Sequence, residues 1–105
     1  MSVDIEAVRV KARAYAAQVR NVMPVSKVYI FGSYTKGMAT EQSDVDICFF
    51  LDSLGGKRRV DIIKDLLMLT SGYDDVGFEP LAFPSSELSN GNPFVLEIVR
   101  TGVEI

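Results

Sequence analysis

The chain has 105 residues, of which 48% are hydrophobic and 24% charged, and its net charge is −3. This length and balance predict one folded domain with a modest core, not a disordered segment. The acidic balance argues against direct nucleic-acid binding, which needs a basic face. Histidine is absent and Cys48 is the one cysteine, which excludes histidine-based acid–base chemistry, an internal disulfide and most zinc sites. No apolar run reaches membrane-spanning length and the N-terminus is not a signal peptide, so we expect a cytoplasmic protein without membrane contacts.

The first predicted element is an amphipathic helix from Asp4 to about Met23, which Pro24 is expected to end. Its apolar residues recur at three- and four-residue steps while the basic residues fall mostly elsewhere. The apolar set is Ile5, Val8, Ala12, Tyr15, Val19 and Val22. We expect this helix to pack on a sheet, and its basic outer face is a secondary candidate for docking a partner.

Two strands follow, separated by a polar stretch. Residues 27–31 are rich in β-branched and aromatic residues and end at Gly32 and Ser33, whereas residues 45–51 are almost continuously apolar, as in a strand covered on both faces. Asp44 and Asp46 enter the second strand and share one of its faces, because side chains alternate along a strand. Such close carboxylates repel each other, but Mg²⁺ prefers oxygen ligands of this kind. The glycine turn lets the backbone approach a phosphate, to which N–H groups and a hydroxyl can donate.

The remaining sequence predicts two more helices and a third strand. The second helix is expected over residues 57–70, and its basic start at 57–59 opposes the helix dipole, which indicates either an anionic neighbour or a solvated charge run. The third strand, residues 76–83, carries Glu79. Pro80 cannot donate to a ladder, so this strand should lie at a sheet edge or contain a bulge.

The last predicted helix runs from Pro93 to about Thr101, with Asn92 as its N-cap. Its expected buried stripe consists of Phe94, Val95, Ile98 and Val99. Residues 103–105 are expected to trail off without regular structure.

The motif formed by Gly32-Ser33, ten intervening residues and Asp44-Val45-Asp46-Ile47 resembles the signature of the DNA polymerase β-like nucleotidyltransferase superfamily. The chain looks most like the minimal nucleotidyltransferases of that superfamily, which often occur as antitoxins beside a helical HEPN-domain partner. The resemblance implies a single α/β (α+β) domain over residues 1–105. It also implies a mixed sheet of about three or four strands flanked by helices, as in the polymerase β palm.

The resemblance implies an enzyme that transfers AMP from ATP to a hydroxyl with the help of two Mg²⁺ ions. Gly32 and Ser33 would hold the β- and γ-phosphates, with Lys36 as an assisting cation. Asp44 and Asp46 would be catalytic residues and metal ligands.

Glu79 would be the third catalytic acid and metal ligand, and would help to remove the proton from the acceptor hydroxyl. The family more often has aspartate at this position, and the longer arm of glutamate moves the carboxylate outward.

The acceptor implied by the resemblance is a tyrosine of a HEPN-type toxin, because the chain has no added helical domain to hold an acceptor of its own. A protein with this role would form a hetero-oligomer, and a homo-oligomer is also open. One alternative is a non-catalytic module that neutralises its partner by masking. Another is an adenylyltransferase acting on a small hydroxylated molecule.

Overall fold

The computed structural model describes residues 5–32, 44–73 and 76–105. Its elements are α1 (Ile5–Arg20), β1 (Val25–Phe31), β2 (Val45–Leu51), α2 (Arg59–Met68), β3 (Phe78–Pro84), α3 (Pro93–Thr101) and β4 (Val103–Glu104), with short 3₁₀ turns at Leu69–Gly72 and Ser85–Leu88. The strands form one mixed sheet in the order β3-β2-β1-β4. Strand β1 is antiparallel to both β2 and β4, whereas β2 and β3 are parallel. The expected small α+β fold, a mixed sheet flanked by helices, is confirmed.

The central strand β2 is covered on both faces, as its apolar run predicts. One face belongs to the larger core, where alternate β2 residues pack with apolar side chains of α1 and α2. On the other face Cys48 and Phe50 pack with Val95 and Ile98 of α3. Asp46 is the one residue of β2 that is not buried. Its carboxylate interrupts an otherwise apolar, buried strand.

Helix α1 is shorter than predicted. It ends at Arg20, and the N–H groups of Asn21 and Val22 donate to the carbonyls three residues before them, at 3.2 and 3.0 Å. This tighter turn directs the chain toward β1 before Pro24 is reached. Val22 is consequently 65% exposed, and its place in the buried stripe was wrongly predicted. The stripe is otherwise confirmed for Val8, Ala12, Tyr15 and Val19, which are all buried.

Strand β3 lies at the sheet edge, which confirms the position expected from Pro80. Arg59, the first residue of α2, covers part of this edge: its Nε donates to the carbonyl of Ala82 at 2.7 Å, and its guanidinium lies 4.0 Å from the ring centroid of Phe83. The neighbouring cations are also engaged, Lys57 with Asp65 and Arg58 with Asp61. These partners account for the basic segment and favour a surface charge run over an anionic neighbour.

The end of the chain differs from the prediction. Residues Val103 and Glu104 form a strand, β4, beside Ile30 and Tyr29 of β1; a two-residue strand is too short to show an alternating pattern. A Cβ at Gly102 would collide with the carbonyl oxygens of Ile98 and Ile30, so glycine allows this close approach.

Helix α3 buries only a narrow stripe. Asn92 caps it as predicted, accepting a hydrogen bond from the Phe94 N–H at 3.0 Å. Val95 and Ile98 are buried, but Phe94 is 48% and Val99 39% exposed. The prediction that these two are buried was wrong, because only the 95/98 side of the helix faces the sheet.

Candidate active site

The three predicted acids lie at one end of the sheet, where β1 ends and where β2 and β3 begin. Asp44 immediately precedes β2, and Asp46 pairs with Glu79 across the parallel β2–β3 ladder. Facing residues of neighbouring strands share a face of the sheet, so Asp46 and Glu79 lie side by side. Asp44 and Glu79 are exposed and Asp46 is half-buried. The three acids thus lie at the same end of the sheet, and their roles as catalytic residues and metal ligands stay predictions.

The electrostatics of the cluster centre on Asp46. Its pKa is raised from 3.8 to about 6, first by burial, then by a hydrogen bond and charge repulsion from Glu79, and last by the charge of Asp44. Two carboxyl groups can share a hydrogen bond only when one of them holds a proton. Without a cation, the fully ionised cluster is therefore unfavourable, and protonation of Asp46 relieves it.

Two glycines leave room for the two aspartates. Gly32, directly after β1, has φ +80°, and a Cβ there would collide with Oδ2 of Asp46. Gly77, just before β3, accepts a 2.6 Å hydrogen bond from the Val45 N–H through its carbonyl. A Cβ at Gly77 would lie 2.6 Å from Oδ1 of Asp44. Any larger residue at either position would displace an aspartate.

The role of Gly77 was missed by the sequence reasoning. The signal available was a glycine two residues before the acid-bearing position of an edge strand, which is weak because glycines commonly precede strands. Gly32 was predicted to let the backbone approach a phosphate. The structure gives a second reason for glycine at this position, since a side chain would collide with Asp46. Ser33 and Lys36, the other predicted phosphate-binding residues, lie outside the described residues and stay predictions.

The acids suit a hard divalent cation in donor type and in charge. Carboxylate oxygens are the ligands that Mg²⁺ takes, and a cation would remove the repulsion that raises the pKa of Asp46. Their separations are less favourable: over residues 5–32, 44–73 and 76–105, no group of three or more potential ligand side chains lies close enough together to hold a metal ion. The donor set fits Mg²⁺ in its chemistry, and the side chains would have to draw together around the ion.

Cys48 lies on the same face of β2 as Asp46, two residues further into the sheet. It is fully buried, and burial raises the pKa of its thiol to about 12. A thiol in this state is not a nucleophile at neutral pH. Cys48 is thus a small apolar core residue, as expected from its place in the strand.

The small mixed sheet flanked by helices matches the nucleotidyltransferase fold. The family model "Nucleotidyltransferase domain" matches residues 13–99, a span that holds the three acids together with Gly32 and Gly77. The chain belongs to this family.

Two solved structures share the fold. A candidate nucleotidyltransferase from Sulfolobus solfataricus matches with a TM-score of 0.65 and 21% identity, over 89% of this chain and 74% of its own. A toxin–antitoxin structure with AMP-PNP matches with a TM-score of 0.52 and 23% identity, over 82% of this chain and 64% of that chain. The likeness at such identities is one of fold. No curated protein matches the sequence significantly.

None of the helices in the described parts of the chain is both long and apolar enough to cross a bilayer.

Proposed function

We propose that this protein transfers AMP from Mg-ATP to a hydroxyl of a partner protein, and that residues 1–105 form one minimal nucleotidyltransferase domain. The observation that carries the proposal is the pairing of Asp46 with Glu79 across the parallel β2–β3 ladder, with Asp44 immediately before β2. Family membership supplies the reaction class. The carboxylate cluster supplies a place for it in this chain.

In this proposal Asp44 and Asp46 hold two Mg²⁺ ions, and Glu79 contributes to the second ion. Bound metal supplies charge neutralisation for the triphosphate and for the leaving pyrophosphate. The backbone at Gly32 approaches the phosphates, with Ser33 and Lys36 as further donors. Glycine with positive φ suits such an approach, since no side chain stands between backbone and ligand.

The chemical step is a displacement at the α-phosphorus of ATP. The acceptor oxygen forms a bond to this phosphorus while the bond to the α,β-bridging oxygen breaks, and pyrophosphate leaves. Glu79 takes the acceptor proton as general base. Its exposure at the sheet edge suits this task, because a hydroxyl carried on another molecule can reach it.

The proposed acceptor is a tyrosine of a HEPN-type toxin, with this chain as the antitoxin. Two observations support a protein acceptor. Asp44 and Glu79 are exposed, so the acid cluster is open to a large molecule. A structural neighbour is a toxin–antitoxin with an ATP analogue. AMP on such a tyrosine would add charge and bulk beside the toxin's active site.

Intact-mass spectrometry tests the proposal. The protein is incubated with Mg²⁺, ATP and the protein encoded next to it. A partner mass gain of one or more AMP groups, abolished in Asp44→Asn and Asp46→Asn, is the expected result. A stable complex with no mass gain on either chain would overturn AMP transfer.

A masking module is the second candidate, because no group of three potential ligand side chains in the described parts of the chain is placed to hold a metal ion. The doubly substituted protein Asp44→Asn/Asp46→Asn separates the two functions. Masking predicts that it still neutralises the partner, whereas AMP transfer predicts that neutralisation is lost while the complex still forms.

A further inference from the structure

Phe94 is the most exposed aromatic side chain among residues 5–32, 44–73 and 76–105. It is 48% exposed, and every other described aromatic residue is buried or half-buried. Val95 and Ile98 are the residues of α3 that belong to the buried core. The half-exposed ring of Phe94, at the first turn of this helix, adds little to that core. Its position beside the acid cluster gives it another use.

The ring of Phe94 is connected to Asp46 through one residue, Phe31. Phe31 pairs with Asp46 across the antiparallel β1–β2 ladder, which places the two Cβ atoms about 5 Å apart on one face of the sheet. The rings of Phe31 and Phe94 meet edge to face, with centroids 6.1 Å apart and an interplanar angle of 88°. Phe31 and Phe94 together form what we call the aromatic shelf.

Phe94 has a second aromatic neighbour, but neither neighbour stacks in parallel on its ring. On its inner side Phe94 also contacts Phe83, at 5.9 Å and a tilt of 50°. Neither neighbour lies parallel to the Phe94 ring, and half of its surface stays accessible. A flat ring could therefore stack on it without displacing a core side chain.

We propose that the aromatic shelf binds the base of the nucleotide whose phosphates lie at the acid cluster. The inference rests on the proposed nucleotide site. A nucleoside triphosphate has a polyanion at one end and a flat ring at the other, and this surface offers a metal-binding carboxylate row next to an accessible aromatic face. Phe31 flanks Asp46 on the β1 side and Glu79 flanks it on the β3 side. The base then lies away from Glu79, which leaves Glu79 open to the acceptor.

Stacking has a consequence for specificity. Every base has a π-face, so aromatic stacking tolerates different bases. The shelf predicts that ATP and GTP bind with similar affinity, and that pyrimidine triphosphates, with their smaller rings, bind more weakly.

The test uses tryptophan fluorescence, because the chain contains no tryptophan. In Phe94→Trp, Mg-ATP should quench the fluorescence, whereas Mg-tripolyphosphate, which has no base, should bind with little change. The matched control is Leu96→Trp, a residue of the same helix that is 52% exposed and turned away from the shelf. Its fluorescence should not respond to either ligand.

A binding measurement with Phe94→Ala completes the test. Loss of one stacked base costs about tenfold in affinity, so the Kd for Mg-ATP should rise by about this factor and that for Mg-tripolyphosphate should not change. Equal effects on both ligands, or no effect on either, would overturn the shelf while leaving nucleotide binding intact. Failure of the wild-type protein to bind either ligand would overturn the nucleotide site together with the shelf.

Discussion

Asp46 of β2 and Glu79 of β3 face each other across a parallel strand pair, and burial together with the neighbouring Glu79 carboxyl raises the pKa of Asp46. A fold normally avoids this relationship, because like charges on facing positions destabilise a sheet. Two facing acids therefore lower the stability of the sheet and indicate a functional site. Many functional sites sacrifice stability for activity in this way.

The first prediction is that Asp46→Asn stabilises the metal-free protein near neutral pH. The pKa of Asp46 is raised to about 6 in the folded protein from 3.8, so the folded state holds this proton more tightly than the unfolded chain. That contribution to stability is complete below 3.8 and is lost as the pH rises through about 6. Asparagine cannot ionise, so the Asp46→Asn protein does not lose this stability as the pH rises. With a discount for solvent exposure, we expect a gain of about 1 kcal/mol in the free energy of unfolding at neutral pH.

Thermal or urea unfolding in a chelating buffer measures this gain. It should fall toward zero as the pH is lowered well below 3.8, where Asp46 is protonated in both the folded and the unfolded state. A variant that is less stable than wild type at neutral pH would show that the carboxylate is not under the strain described.

The second prediction concerns Gly32→Ala. Its Cβ would collide with the carboxylate of Asp46, and its φ of +80° is strained for alanine. The strain alone costs about 1–2 kcal/mol, and the displaced carboxylate should abolish AMP transfer. Gly55→Ala is the matched control: φ is +62° and a Cβ there has nothing within 4 Å. It should lose similar stability and keep its activity. Equal activity in both variants would remove Gly32 from the site.

The third prediction tests Gly77, whose missing side chain leaves room for Asp44. In Gly77→Ala the new Cβ would push against Oδ1 of Asp44 without backbone strain. We expect the Mg²⁺ concentration needed for half-maximal activity to rise several-fold, on the order of the 10–100-fold effect of disturbing groups that orient metal ligands. Gly72→Ala, where a Cβ has open space, should leave the Mg²⁺ dependence unchanged. An unaltered dependence in both would show that Asp44 tolerates the displacement.

The fourth prediction is that Arg59 protects the edge strand. Arg59→Ala removes the hydrogen bond to Ala82 and the contact with Phe83, and we expect a loss of about 1–2 kcal/mol in the free energy of unfolding. Arg58→Ala should cost less than about 0.5 kcal/mol, because Arg58 is 80% exposed and makes only a surface ion pair. Light scattering on storage should rise in the Arg59 variant alone, since it uncovers the β3 edge.

Sequence reasoning reached the acid cluster because strand alternation and one glycine turn are local patterns. Alternation alone puts Asp44 and Asp46 on one face of their strand. The apolar residues around Glu79 predict the strand that carries it, and Pro80 indicates that this strand lies at an edge. The pairing of Asp46 with Glu79 depends on register, which a strand pattern does not contain.

The features that the sequence did not predict also depend on tertiary packing, which a local pattern does not contain. Gly77 acts through Asp44, a residue 33 positions earlier, and only tertiary packing brings them together. The stripe of α3 was drawn too wide because Phe94 and Val99 are apolar. Which side of a helix meets the sheet is settled by the neighbours of that helix, and here the sheet buries only Val95 and Ile98.

The buried state of Cys48 has a practical consequence. Its thiol sits between β2 and α3 with its pKa raised to about 12, so alkylating reagents can reach it only when α3 separates from the sheet or the chain unfolds. The rate at which Cys48 is labelled in the native protein therefore measures how often that opening occurs. It also means that a cysteine introduced at the surface can carry a dye or spin label selectively, with the natural one left in place.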